Sequence, residues 1–151
     1  MEIRDILSAD RIFDSVQAAD KPSLLRLVAR DAALDLRMNE ADIAAALFGR
    51  EKLGSTGVGR GLAIPHAQIA GLKGTYGALY RLMKPIEFDS LDESPVDVVV
   101  ALLVPKTAEG TGLQELSCVA RAFKSSTLLD EVRSVRRIAP LKEILLRPTA
   151  S

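Results

Sequence analysis

An α/β domain is what this sequence predicts: a three-layer sandwich whose central sheet is mixed, parallel and antiparallel, with helices on both faces. Three observations carry that prediction. The 151 residues are 48% apolar, enough for one core and a single domain, residues 1–151, near the common domain size. The segment "VDVVVALLVP" is apolar almost throughout and is bounded by Pro95 and Pro105; continuous apolarity marks a strand buried on both faces. Stretches with helical apolar spacing lie both before and after it, so helices are available to cover each face.

In chain order, Leu24, Leu27, Val28, Ala32 and Leu36 recur at steps of three and four within Lys21–Leu36, the period of an amphipathic helix. Pro22 falls in its first turn, where a missing N–H costs nothing. A second helix opens at Asn39, a good N-cap with Asp42 three residues on, and runs through "EADIAAALFGREK" until the glycines from Gly54 stop it. Extended pieces follow: a brief strand at 62–65, a longer one at 75–82 that alternates only loosely, and the central strand at 96–105. A helical period returns over 111–124 in Leu113, Leu116, Cys118, Val119 and Phe123, and two shorter helices are predicted at 127–135 and 140–146. Leu47 and Phe48 read as core, the basic run 133–137 as a solvated face and the acidic run 89–94 as a loop between strands.

Composition excludes several functions. Twenty basic residues against twenty acidic ones leave no net charge, so no overall field attracts nucleic acid or an anionic membrane. The longest apolar run, 98–104, is far below the roughly 20 residues of a membrane span, and "MEIRDILSADRIF" lacks the basic flank and apolar stretch of a secretory signal. No membrane insertion and a cytoplasmic location are therefore expected. Cys118 is the only cysteine, and its helical apolar neighbours predict a buried structural thiol. One histidine and one cysteine make no zinc cluster; neither metal nor cofactor is expected.

The stretch "GSTGVGRGLAIPHAQ", residues 54–68, places Gly54, Gly57, Gly59 and Gly61 ahead of the chain's one histidine, His66, which directly follows Pro65. A nucleotide site is one reading, but there is no Walker string, and a helix precedes the glycines where a dinucleotide fingerprint needs a strand. A flexible connector with an incidental histidine is the reading that composition alone favours. Against it, Pro65 fixes its own φ and pushes Ile64 toward extended backbone, stiffening the approach to His66. The glycines remove side chains and leave ground on which another protein's backbone can come close. Ser55 and Thr56 hydroxyls, loop N–H groups and Arg50 at the end of the preceding helix equip the stretch for a phosphoryl group. Neutral imidazole, with an unperturbed pKa of about 6.5, is a nucleophile near pH 7. With no second histidine to activate water, it suits a carrier that holds a phosphoryl group without hydrolysing it.

"REKLGSTGVGRGLAIPH", followed by "FDSLDESPVDVVVALLVP", resembles the enzyme IIA family of the bacterial phosphoenolpyruvate phosphotransferase system, in its fructose/mannitol type, and most closely that family's nitrogen-regulatory branch. The resemblance runs from about residue 5 to 146 and implies a mixed sheet flanked by helices. It implies that His66 is phosphorylated and that Arg50 steadies the phosphoryl group. It also implies a donor, a small histidine phosphocarrier protein of the HPr or NPr kind, and regulatory partners such as sensor kinases or transporters, bound according to phosphorylation state. Family members often carry another histidine near the start of the helix after "ALLVP". This chain has Gly112 and Gln114 there, and Gln114 can donate a hydrogen bond but supplies no positive charge. Two further readings stand beside the carrier: a sugar-transport enzyme IIA component, and a pure interaction module whose transfer is vestigial. With Arg50 and Arg60 as the expected nearby cations, partners that prefer the unphosphorylated protein are favoured.

Overall fold

The computed structural model describes residues 1–107, 112–124 and 126–148. Two single 3-10 turns, Ile3–Asp5 and Ala9–Arg11, lead into strand β1 (Ile12–Val16), then helices α1 (Lys21–Leu36) and α2 (Glu40–Lys52). Four strands follow in short order, β2 (Gly57–Gly59), β3 (Leu62–Ala63), β4 (His66–Ile69) and β5 (Tyr76–Ile86), and then the central β6 (Val96–Pro105). Helices α3 (Leu113–Lys124), α4 (Ser126–Ser134) and α5 (Ile138–Leu146) complete the chain. The caps are those the sequence offers. Asp20 accepts the Ser23 N–H at 2.9 Å and Asn39 accepts the Asp42 N–H at 2.9 Å, each satisfying an otherwise orphaned helix donor.

The sheet runs in the order β1-β5-β6-β3-β2, with β4 also paired to β6. It is mixed: β5 and β6 are antiparallel, while β1 lies parallel to β5, and β3 and β4 lie parallel to β6. Alternate residues of β6 go to opposite cores. Val99, Ala101 and Leu103 pack with Leu24, Val28, Ile43 and Leu47 of α1 and α2. Val98, Val100 and Leu102 pack with Val119, Phe123, Val132 and Leu141 of the C-terminal helices. Each of those six β6 side chains is almost wholly buried, which is why the strand shows no polar face.

Several elements depart from the predicted bounds. The strand expected at 62–65 ends at Ala63, because Pro65 has no N–H to continue pairing on both sides. β5 extends to Ile86, beyond the expected 82, with an irregular register before Ile86 on β6. The helix expected from 111 begins, in the described residues, at Leu113; Thr111 lies outside them. α5 starts two residues ahead of Pro140, which is tolerated within the first turn. β1, β2 and β4 are additional to the sequence reading. Cys118 is buried, with its thiol pushed up by burial, and Phe48 packs partly buried against the α1–α2 core. Within the basic run, Arg133 is not simply solvated: it pairs with Asp97 at 2.7 Å and bonds the Arg60 carbonyl.

Candidate functional site

β3 and β4 lie end to end along β6, Leu62 opposite Val98 and His66 opposite Leu102. Ile64 and Pro65 form the joint between them. The Leu102 N–H still donates to the Pro65 carbonyl at 2.9 Å, and the Ile64 N–H turns back to the Thr56 carbonyl at 2.9 Å. The proline thus keeps its acceptor in the ladder although it has no N–H to donate. His66 opens β4 from this fixed joint.

The imidazole is half-buried, and both its nitrogens are engaged. Nδ1 lies 2.8 Å from the Ile64 carbonyl oxygen. A carbonyl only accepts, so Nδ1 carries the ring proton and Nε2 holds the lone pair. Arg50 Nε–H donates to that lone pair at 3.3 Å, and Arg50 Nη1 donates to the Gly54 carbonyl at 2.9 Å. The guanidinium is therefore braced from the loop and directed at the lone-pair nitrogen. A hollow of about 520 Å³ opens over the pair, with Leu53, Gln68, Lys106 and Gly112 in its lining. A larger one of about 770 Å³ lies around Met1, Cys118 and α5, remote from His66; its thiol is the weakly acidic one already described. Among the described residues no group of three or more His, Cys, Asp or Glu side chains could hold a metal.

The other predicted site residues are placed differently. Ser55 spends its hydroxyl proton on the Phe88 carbonyl and accepts the Gly57 N–H at 3.0 Å. The buried Thr56 hydroxyl donates to Glu51. Both hydroxyls brace the loop and spend their protons inside the protein. Gly54 faces open space, but a Cβ on Gly57 would come within 3.0 Å of Ser90 Cβ, and one on Gly61 within 2.9 Å of Asp97 Oδ1. Gly59 and Gly61 adopt φ of +96° and +79° around a β2–β3 turn. That turn stands beside Val98, four residues before Leu102, so about 13 Å from His66 at about 3.3 Å per residue. These three glycines make room for the chain's own side chains, not for a visitor at His66. Arg60 is likewise remote; its guanidinium bonds the Phe123 and Lys124 carbonyls at the end of α3.

Gln114 is exposed on the first turn of α3 and lies outside the hollow's lining. Gly112 does line it, at φ +70°, where a Cβ would meet Val104 Cγ2 at 2.8 Å; no side chain fits there without a shift. Gln68 and Lys106 are polar lining residues that the sequence reading missed. Gln68 is two residues after His66 in β4 and so shares its face. Lys106 extends the ladder by donating its N–H to the Ile69 carbonyl at 3.1 Å, which puts its side chain on the face of Leu102 and Val104. A period of two counted from His66 would have flagged Gln68.

Comparison with known proteins accords with this architecture. A nitrogen regulatory protein of Bradyrhizobium diazoefficiens is 34% identical over 151 residues, covering 100% of this chain and 99% of that one. The crystal structure of the nitrogen regulatory protein IIA-Ntr from Neisseria meningitidis superposes with a TM-score of 0.86 at 35% identity, covering 95% of this chain and 98% of that chain. The Escherichia coli mannitol enzyme IIA, solved in complex with phosphorylated enzyme IIB, shares the fold at a TM-score of 0.76 and 17% identity, over 92% of this chain and 96% of that one. The model of the phosphoenolpyruvate-dependent sugar phosphotransferase system EIIA 2 family matches residues 5–147. A match spanning nearly every described element, on a fold shared with a nitrogen regulatory protein, leaves one assignment: the chain belongs to that EIIA 2 family.

Proposed function

We propose that this protein accepts one phosphoryl group on His66 Nε2 from a small histidine phosphocarrier protein and signals to regulatory partners through its phosphorylation state. The observation that carries the reading is the tautomer: the Ile64 carbonyl holds the Nδ1 proton and leaves the Nε2 lone pair beside Arg50. In the transfer, the donor's N–P bond breaks as the Nε2–P bond forms, and the Nδ1 proton stays on the ring. As the phosphorus arrives, the Arg50 Nε–H loses its acceptor at Nε2 and turns to a phosphoryl oxygen. A guanidinium grips two oxygens in a fixed fork, and the charge that spreads over the equatorial oxygens is what such donors stabilise. Lys106 and Gln68, in the same hollow, supply a second cation and an amide.

Leu53 and Leu113, 84% and 63% exposed, offer an apolar rim to a docking protein. Kinship with nitrogen regulatory proteins favours a regulatory output. The alternative, feeding a sugar transporter, is motivated by the mannitol relative's complex with an enzyme IIB. Incubation with phosphoenolpyruvate and the general phosphotransfer proteins tests the proposal. Intact mass should show one phosphoryl group, labile to acid and stable to base, on wild type and none on His66→Ala. A label that persists in that variant overturns it.

A further inference from the structure

Beside Arg50 in α2 stands Glu51, whose carboxylate is among the most enclosed charges described, with its side chain 6% exposed. Lys21 Nζ, on the first residue of α1, meets it at 2.6 Å and is itself only 16% exposed. The same carboxylate accepts the Thr56 N–H at 3.3 Å and the Thr56 hydroxyl. Lys21 also donates to the Phe88 carbonyl at 3.3 Å and lies over the Phe88 ring, 4.7 Å from its centroid. The Ser55 hydroxyl bonds that same carbonyl. One buried ion pair therefore ties the start of α1, the end of α2, the glycine loop and the β5–β6 connection together.

Gly54 lies between these anchors, at φ +148° with open space where a Cβ would sit; its N–H is held by the Glu51 backbone carbonyl at 3.1 Å, and the loop beyond it is pinned at Thr56. That carbonyl is the brace for Arg50 Nη1. We propose that the Lys21–Glu51 pair is a positioning device for Arg50: by pinning Thr56, Glu51 sets the Gly54 carbonyl, which aims the guanidinium at His66 Nε2. A buried ion pair is a weak stabiliser, because desolvation offsets its Coulomb attraction and apolar residues of similar volume hold a fold as well. Its distinctive capacity here is directional, since a carboxylate takes the Thr56 donors and the ammonium at once.

The inference rests on the proposed phosphorylation of His66. It is tested by single-turnover transfer from phosphorylated donor protein in a double-mutant cycle. Glu51→Gln and the charge-free pair Lys21→Met/Glu51→Gln are compared in the wild-type and Arg50→Gln backgrounds, with thermal melts to confirm folding. We expect the maximal transfer rate to fall about tenfold in the wild-type background, with the donor concentration at half-saturation unchanged. In the Arg50→Gln background no further fall is expected. Thr56→Val, which keeps the ion pair, carries the same cycle if the charge variants do not fold. Equal falls in both backgrounds, or an unchanged rate in a folded variant, overturn the inference while leaving His66 as the acceptor. Absence of label on wild type removes the carrier reading and this inference with it.

Discussion

A carbonyl oxygen 2.8 Å from His66 Nδ1 leaves the ring one neutral tautomer, and nitrogen chemical shifts report tautomers directly. In unphosphorylated protein the proton should be on Nδ1, and after transfer phosphorus coupling should appear at Nε2; coupling at Nδ1 would contradict the assigned geometry. Arg50→Lys should slow transfer about 100-fold, the scale of losing one well-placed transition-state donor, while donor affinity changes little. An ammonium cannot reach Gly54 and His66 together as the guanidinium fork does. Gly61→Val should instead cost about 1–3 kcal/mol of stability, since φ is +79° and Asp97 occupies the space for Cβ. Per folded molecule its transfer rate should be that of wild type, a comparison that melts and kinetics on the same sample provide. His66 stands out in the sequence because no other histidine competes with it. Gly57, Gly59 and Gly61 were misjudged because the groups crowding them, Ser90, Asp92, Asp97 and Arg133, come from far along the chain. Nothing local distinguishes a glycine that admits a partner from one that admits a distant side chain.

At the scale of elements, Arg81 of β5 joins three of them. It donates to both Asp14 oxygens in β1, at 2.7 and 2.8 Å, and to the Val132 and Val135 carbonyls around the end of α4. The pair is well enclosed, with side chains 14% and 19% exposed, and these hydrogen bonds hold the Asp14 carboxyl below the usual carboxylate range. A carboxyl whose native pKa is lowered stabilises the fold above its unfolded value, about 3.9, and that contribution disappears as pH falls through the lowered native value. Acid unfolding of wild type should therefore steepen below about pH 4, and the curve should be flatter there for Asp14→Asn. Arg81→Met should cost about 3 kcal/mol at neutral pH, the scale of charged hydrogen bonds lost from an enclosed site; a loss within measurement error would show the clamp to be idle. α1, α2 and β6 were readable because period and caps are local properties, as Leu24, Asn39 and the 98–104 run show. β1, β2 and β4 were not, since strands of three to five residues are too short to display alternation. Their conformation is imposed by pairing, as His66 against Leu102 illustrates.

Across the whole molecule, the site forms where the layers meet: α2 brings Arg50 from one side, the sheet edge brings His66, and the end of β6 brings Lys106. A partner seated on the Leu53 and Leu113 rim covers all three. Phosphorylation adds up to two negative charges and three acceptor oxygens there, and burying them unpaired opposes binding by several kcal/mol. Pull-downs with both states and with His66→Ala should yield at least one partner retained by unphosphorylated protein and lost on phosphorylation; identical sets would leave a carrier without such an output. The Arg81 clamp has a different reach, in time. Leu79 pairs with Val100 within a local hairpin, whereas Ile12 must find Leu79 across both helices and three strands. Closing the shorter loop costs less chain entropy, so β5–β6 is expected to form first and β1 to dock afterwards. An interaction made after the transition state governs how fast the protein comes apart, not how fast it assembles. In a chevron, Arg81→Met should accelerate unfolding and leave the refolding limb in place, so that this one arginine sets the lifetime of the folded state.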